Sequence, residues 1–191
     1  GPYTQVSGTF TVPSLYQGQT NTYLSEWVGV DGFNNSDLIQ AGIQESPVPG
    51  STTTFYLFPW WEILPATETP ITTMTVNPAD QVTITISQLS GSTWTITLDD
   101  STDGQSFTTN QTYTGPGASA EWIVEAPQVG VSISTLADYT TTTFSGLGAT
   151  GPQMGYTEVV MVQNSVQVST PSNLVPAGFS VAYGKYPPAP P

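Results

Sequence analysis

The sequence contains no cysteine, no histidine and no arginine, and its one basic side chain is Lys185. Each absence removes a class of chemistry. Without cysteine there is no disulfide, no thiolate nucleophile and no thiolate metal ligand. Without histidine the usual general base near neutral pH is missing. With a single cation the chain cannot build the basic surface that phosphate contacts require, which excludes nucleic acid as a partner. No stretch approaches the roughly 20 apolar residues needed to span a bilayer, and no basic segment followed by an apolar one opens the chain. No membrane association is expected. Amphipathic helical periodicity is also missing beyond a turn or two.

What remains is acidic. Fourteen Asp and Glu give a formal net charge of −13 at pH 7, yet only 8% of residues are charged at all. Acid-base chemistry therefore falls to carboxylates, whose unperturbed pKa values lie near 4. Acid would relieve their mutual repulsion and would have few ion pairs to break. This balance points to an acidic, extracytoplasmic medium. Apolar residues at 37%, abundant Ser and Thr, and 18 Gly with 17 Pro spread along the chain favour strands and turns. The length suits one domain over residues 1–191, with 187–191 a frayed Pro-rich end.

Period-two alternation recurs throughout. Thr9-Phe10-Thr11-Val12 reads as a strand stopped by Pro13. From Thr22 to Asp31, alternation puts Tyr23, Ser25, Trp27, Gly29 and Asp31 on one face and Leu24, Glu26, Val28 and Val30 on the other. The first set either lines a cleft or supplies core and turn residues. Leu38 to Ile43 is an apolar run interrupted by Gln40, which serves as a structural bridge or as a polarising donor. Between Pro59 and Pro65, Trp60, Glu62 and Leu64 share a face. From Ile71 to Thr112, Met74, Val76, Val82, Ile84, Ile86, Trp94, Ile96 and Leu98 alternate as strands with one wet face, with no special site expected. Further short strands are expected at Val131–Ile133, around Phe144, and at Tyr156–Val162, Val166–Val168 and Phe179–Tyr183. Short strands joined by Gly, Pro, Asn and Asp turns predict an all-β fold, an antiparallel β-sandwich of two packed sheets.

The stretch from Ala120 to Glu125 carries two carboxylates. Glu121, Ile123 and Glu125 share one face, and Trp122 and Val124 the other. An inward carboxylate must be hydrogen-bonded or protonated, a cost that functional sites tolerate. The alternative is that both glutamates face solvent.

Taken together, Trp27-Val28-Gly29-Val30-Asp31-Gly32, Leu38-Ile39-Gln40-Ala41-Gly42, Trp60-Trp61-Glu62-Ile63-Leu64-Pro65 and Ala120-Glu121-Trp122-Ile123-Val124-Glu125 resemble, in order and spacing, the glutamic peptidases of the G1 family (eqolisins). Val6 to Pro13 is similar to the family's first strand. The likeness runs from about Val6 to Val131 and is weaker beyond. It implies a jelly-roll-like sandwich of two sheets of about seven strands each and a pepstatin-insensitive acid endopeptidase with no metal and no cofactor. It makes Gln40 and Glu125 the catalytic dyad, and it puts Trp27, Asp31, Trp61 and Glu62 beside the substrate. The expected partner is a polypeptide. A chain that starts at Gly1 is expected to be a processed product, secreted as a monomer after loss of a signal peptide and a propeptide. The lack of cysteine departs from the fungal members and suits a bacterial branch, and Leu64 replaces a tyrosine of those members. The other readings are a glycoside hydrolase using Glu62 and Glu125, for which Gln40 would be incidental, and a sugar-binding sandwich presenting Trp27, Trp60 and Trp61.

Overall fold

Val6, Gly8 and Phe10 turn inward from the first strand while Gln5, Ser7 and Thr9 are half-buried, the alternation of a strand with one covered face. The same rhythm carries Val82, Ile84 and Ile86 and then Trp94, Ile96 and Leu98 into the interior. The computed structural model describes residues 1–152 and 155–191. Its strands are β1 (Gln5–Thr11), β2 (Thr22–Asp31), β3 (Leu38–Pro47), β4 (Phe55–Ile63), β5 (Thr69–Pro70), β6 (Gln81–Ser90), β7 (Thr93–Asp100), β8 (Gln105–Thr112), β9 (Ala120–Glu125), β10 (Gln128–Val129), β11 (Ser132–Ile133), β12 (Thr135–Leu136), β13 (Thr142–Thr150), β14 (Met161–Gln163), β15 (Val166–Pro171) and β16 (Phe179–Tyr183). No helix occurs among the described residues.

One sheet has eight strands in the order β14-β15-β16-β13-β1-β6-β7-β8. The other has six: β12-β2-β3-β4-β5, with β9 pairing the β2 edge beside β12. A small β10-β11 hairpin stands apart. The sandwich is as expected, but its sheets hold eight and six strands where about seven each were expected. The expected strand from Tyr156 is shorter, beginning only at Met161, because Tyr156, Val159 and Val160 are exposed and form no ladder.

The core lies between the sheets. Phe10, Ile84, Ile96 and Leu98 from one sheet meet Leu24, Val28, Ile39 and Ile43 from the other. Burying each such side chain stabilises the fold by about 1.5–3 kcal/mol. Every residue of β3 is buried, because β3 is an inner strand covered on both faces. Below it is the core; above it lies a second apolar layer of Trp27, Leu38 and Trp60, with Phe58 and Ile123 against them.

Two carboxyls lie on the core side. Glu26 and Glu45 are both fully buried, one diagonal step apart on β2 and β3, since Glu26 pairs with Ile43 and Glu45 with Leu24. No other side chain donates to any of their four oxygens. They have only each other, and a carboxyl-to-carboxyl hydrogen bond needs a proton on one of them. Desolvation, with Glu45's charge and hydrogen bond adding to it and the backbone N–H of Glu26 opposing, holds Glu26 well above the carboxylate range. Burial likewise pushes Glu45 up to about 8, its hydrogen bond to Glu26 opposing.

Candidate active site

On the outer face of the six-stranded sheet the ladder pairings arrange side chains in rows. Glu121, Gly29, Gln40 and Glu62 form the first row. Ile123, Trp27, Gly42 and Trp60 form the second, and Glu125, Ser25, Gln44 and Phe58 the third. Gly29 and Gly42 flank Trp27, and neither leaves room for a side chain. A Cβ on Gly29 would stand 2.9 Å from the Trp27 ring, and one on Gly42 would stand 2.3 Å from the Glu26 carbonyl and 2.7 Å from the Trp27 Cβ. The two glycines let the indole lie flat across the sheet.

Lying there, Trp27 donates its Nε1–H to Glu125 Oε1 at 2.9 Å. Three causes act on Glu125. Desolvation raises its pKa, the Trp27 hydrogen bond lowers it, and the charge of Glu62 raises it, leaving it above the usual carboxylate range. Gln40 is buried, and its Nε2 donates to Glu62 Oε2 at 2.6 Å. Its Oε1 has no partner. Glu62 is half-buried and raised by desolvation, against hydrogen bonds from Gln40 and the backbone N–H of Glu68. Glu62 thus links the pair: its carboxylate touches Gln40 and its field reaches Glu125.

Glu121 behaves differently. Its Oε1 accepts from Ser119 Oγ at 2.8 Å, and the backbone N–H of Phe33 also donates to it. Desolvation, opposed by those two bonds and assisted by Asp31 and Glu125, brings it to about 7. It is tied to the loops at the β2 and β9 ends rather than to Gln40.

Two of the residues expected beside the substrate are engaged inside the protein. Asp31 is fully buried and all its capacity is spent inside the protein. Oδ1 accepts from Ala118 N at 2.6 Å and Asn35 Nδ2 at 3.0 Å; Oδ2 accepts from the Tyr113 hydroxyl at 2.6 Å and Gly117 N at 2.8 Å. Those bonds hold Asp31 in the left-handed region, at φ 72°, and fix the segment that leads into β9. Asp31 therefore positions the strand carrying Glu125. Trp61 pairs with Ala41 and packs against the inter-sheet core, so it lies on the opposite face from Gln40. Its neighbour Trp60 is the tryptophan on the site face, and alternation with Glu62 was the signal for it. The contribution of Glu68, a backbone N–H from the loop after β4, had no signal in the sequence.

The back of β9 explains its fixed register. Trp122 Nε1 donates to the Ser7 carbonyl at 2.8 Å across the sandwich, and its ring fills the space a Cβ on Gly8 would occupy, 2.7 Å away.

A carboxylate held by an indole and an amide held by a second carboxylate thus stand on one sheet face, in a chain without histidine or cysteine. The Peptidase A4 family matches residues 1–183, and the chain belongs to it. It is a glutamic endopeptidase. It is 28% identical over 211 residues to Aspergillopepsin-2 of Aspergillus niger, covering 95% of this chain and 73% of that protein. Its fold is similar to a crystal structure of scytalido-glutamic peptidase with a transition state analog inhibitor, with a TM-score of 0.78, 20% identity, and 96% of this chain and 93% of that one covered. It is also similar to the crystal structure of aspergilloglutamic peptidase from Aspergillus niger, with a TM-score of 0.72, 25% identity, and 85% and 99% coverage. The glycosidase and sugar-binding readings gain nothing from these likenesses.

Proposed function

We propose that the protein cleaves polypeptides in acid with Glu125 as base and then acid, Gln40 as the oxyanion donor, and Glu62 and Trp27 as positioning residues. The observation that carries this is the pair of bonds Trp27 to Glu125 and Gln40 to Glu62 on one sheet face. Ionised Glu125 takes a proton from a water molecule as the water oxygen attacks the scissile carbonyl carbon. The carbonyl oxygen gains the negative charge. Glu62 engages one of the two N–H groups of Gln40, and the other is left for that oxygen; a preorganised donor of this kind is worth about 2.7–4 kcal/mol of barrier. Glu125 then gives its proton to the amide nitrogen, the C–N bond breaks, and a carboxylic acid and an amine leave.

Acid suits this arrangement. Raised pKa values keep Glu125 exchanging protons at a higher pH than a free glutamate would. Towards neutrality Glu121, raised to about 7, ionises as well, and with no cation beside it its charge works against the oxyanion. The central group is neither an aspartate dyad, a serine nor a thiol, so pepstatin, serine reagents and thiol reagents should leave activity intact. Secretion into an acidic medium and action as a monomer fit the acidic composition. The test is hydrolysis of denatured casein against pH. Cleavage at pH 3 to 4 that disappears near neutrality supports the reading, and an optimum at pH 7 contradicts it.

A further inference from the structure

We propose that Asp80, Asp100 and Asp103 form a binding site for a hard divalent cation of the calcium type, on the eight-stranded sheet and separate from the peptidase face. One carboxylate oxygen from each residue lies within 4.8 Å of the other two. They come from three places: Asp80 just before β6, Asp100 at the end of β7, and Asp103 in the turn to β8. Clustering alone would mean little, since acidic groups gather on many surfaces.

The second observation is the state of Asp100. It is 1% exposed, and its Oδ1 accepts the backbone N–H of Thr102 at 2.8 Å and of Asp103 at 3.3 Å. Its Oδ2 is buried with no partner. A buried carboxylate oxygen is unfavourable when left bare, and a bound cation would satisfy it. The neighbours offer little else. Asn77 N donates to Asp80 Oδ2 at 2.6 Å, while its Nδ2 stands 3.4 Å from both Asp80 Oδ2 and Asp103 Oδ2.

The chain holds no internal counter-ion for this cluster. Its single basic side chain, Lys185, lies over the Tyr186 ring. Three anionic oxygens without a nitrogen or sulfur donor select a hard cation over zinc or copper. Carboxylates from a strand end and two turns, with no octahedral geometry imposed, suit calcium better than the strict octahedron of magnesium. This cluster departs from the expectation of no metal and of no special site between Ile71 and Thr112. Cysteine and histidine, which the chain lacks, are not needed here. A cation would tie the turn after β7 to the turn before β6, where Val12 N also donates to the Asp80 carbonyl at 2.9 Å.

The test is calorimetric titration of the full chain with CaCl2 at about pH 6, where ordinary carboxylates are ionised, together with thermal melts in CaCl2 and in NaCl of equal ionic strength. The expected result is one saturable site per chain, with Kd near or below about 1 mM, and a melting temperature raised by calcium, lowered again by EDTA, and not matched by NaCl. Asp103 is exposed, so Asp103→Asn should fold, keep its peptidase activity and weaken calcium binding by about tenfold or more. At pH 3 protons should abolish the calcium effect. Absence of saturable binding at pH 6, a melting shift that NaCl reproduces, or wild-type affinity in Asp103→Asn would each overturn the proposal.

Discussion

Gln40 Nε2 lies 2.6 Å from Glu62 Oε2, so the amide proposed to meet the oxyanion is held by a carboxylate directly across the ladder. The pairing explains why a glutamine can act with defined geometry. One N–H is committed, which fixes the direction of the other. Gln40→Ala should therefore lower kcat by about a hundredfold or more, with KM changed much less, as steady-state kinetics on a peptide substrate would measure. Glu62→Gln should keep the fold and lose part of the activity, since its amide can still accept from Gln40 but no longer as a carboxylate.

Trp27→Phe tests the positioning of Glu125. The indole N–H lowers the Glu125 pKa, so its removal lets desolvation push that pKa higher. The acidic limb of the kcat/KM profile should move upward, with a lower plateau. A profile that fell in height without moving would mean that Trp27 acts only through packing.

Gly42→Ala puts a Cβ within 2.3 Å of the Glu26 carbonyl, which is backbone and cannot swing aside. Overpacking of this kind costs typically about 1–3 kcal/mol. Urea unfolding should show that loss, and activity should fall with it because the added carbon also meets Trp27.

Glu26 and Glu45 set the dependence of stability on pH. Burial raises both in the folded state from a glutamate's ordinary 4.5, Glu45 to about 8. Folding therefore binds protons that the unfolded chain releases around that ordinary value. The associated stability is full below it and is lost progressively as pH rises towards about 8. Melting temperature should be higher at pH 4 than at pH 7, and Glu45→Gln, which keeps shape without ionising, should flatten that slope. A wild-type melting temperature that rises from pH 4 to pH 7 would contradict the assignment.

How much of this the sequence disclosed depended on range. Alternation within a strand correctly put Trp27 with Gly29, Trp60 with Glu62, and Glu121 with Glu125, because side-chain direction is a local property. It even placed Glu26 on the Leu24 and Val28 face. That Glu26 meets Glu45 there depends on the β2-β3 register, which no single strand reports. Asp31 looked like a cleft residue or a turn former. Its partners Tyr113, Gly117 and Ala118 lie more than eighty residues away, so its role as the anchor of β9 was hidden. The Trp60-Trp61 doublet shows the opposite failure: parity distinguished the two residues, but Trp61 was chosen as the contact. Sheet membership was similarly non-local, since short strands such as β5 and β12 exist only through the partners they find.

The central claim is that Glu125, not Glu121, carries the proton. Casein hydrolysis at pH 3 to 4 by Glu125→Gln and Glu121→Gln, with folding of each checked by circular dichroism, tests it most directly. Glu125→Gln should fold and fall to background, because its amide can still accept from Trp27 but cannot take a proton from water. Glu121→Gln should keep much of the wild-type rate, since Ser119 and the Phe33 backbone hold Glu121 at the loops. Loss of cleavage in Glu121→Gln with activity intact in Glu125→Gln would contradict the account, and with it the role given to Gln40.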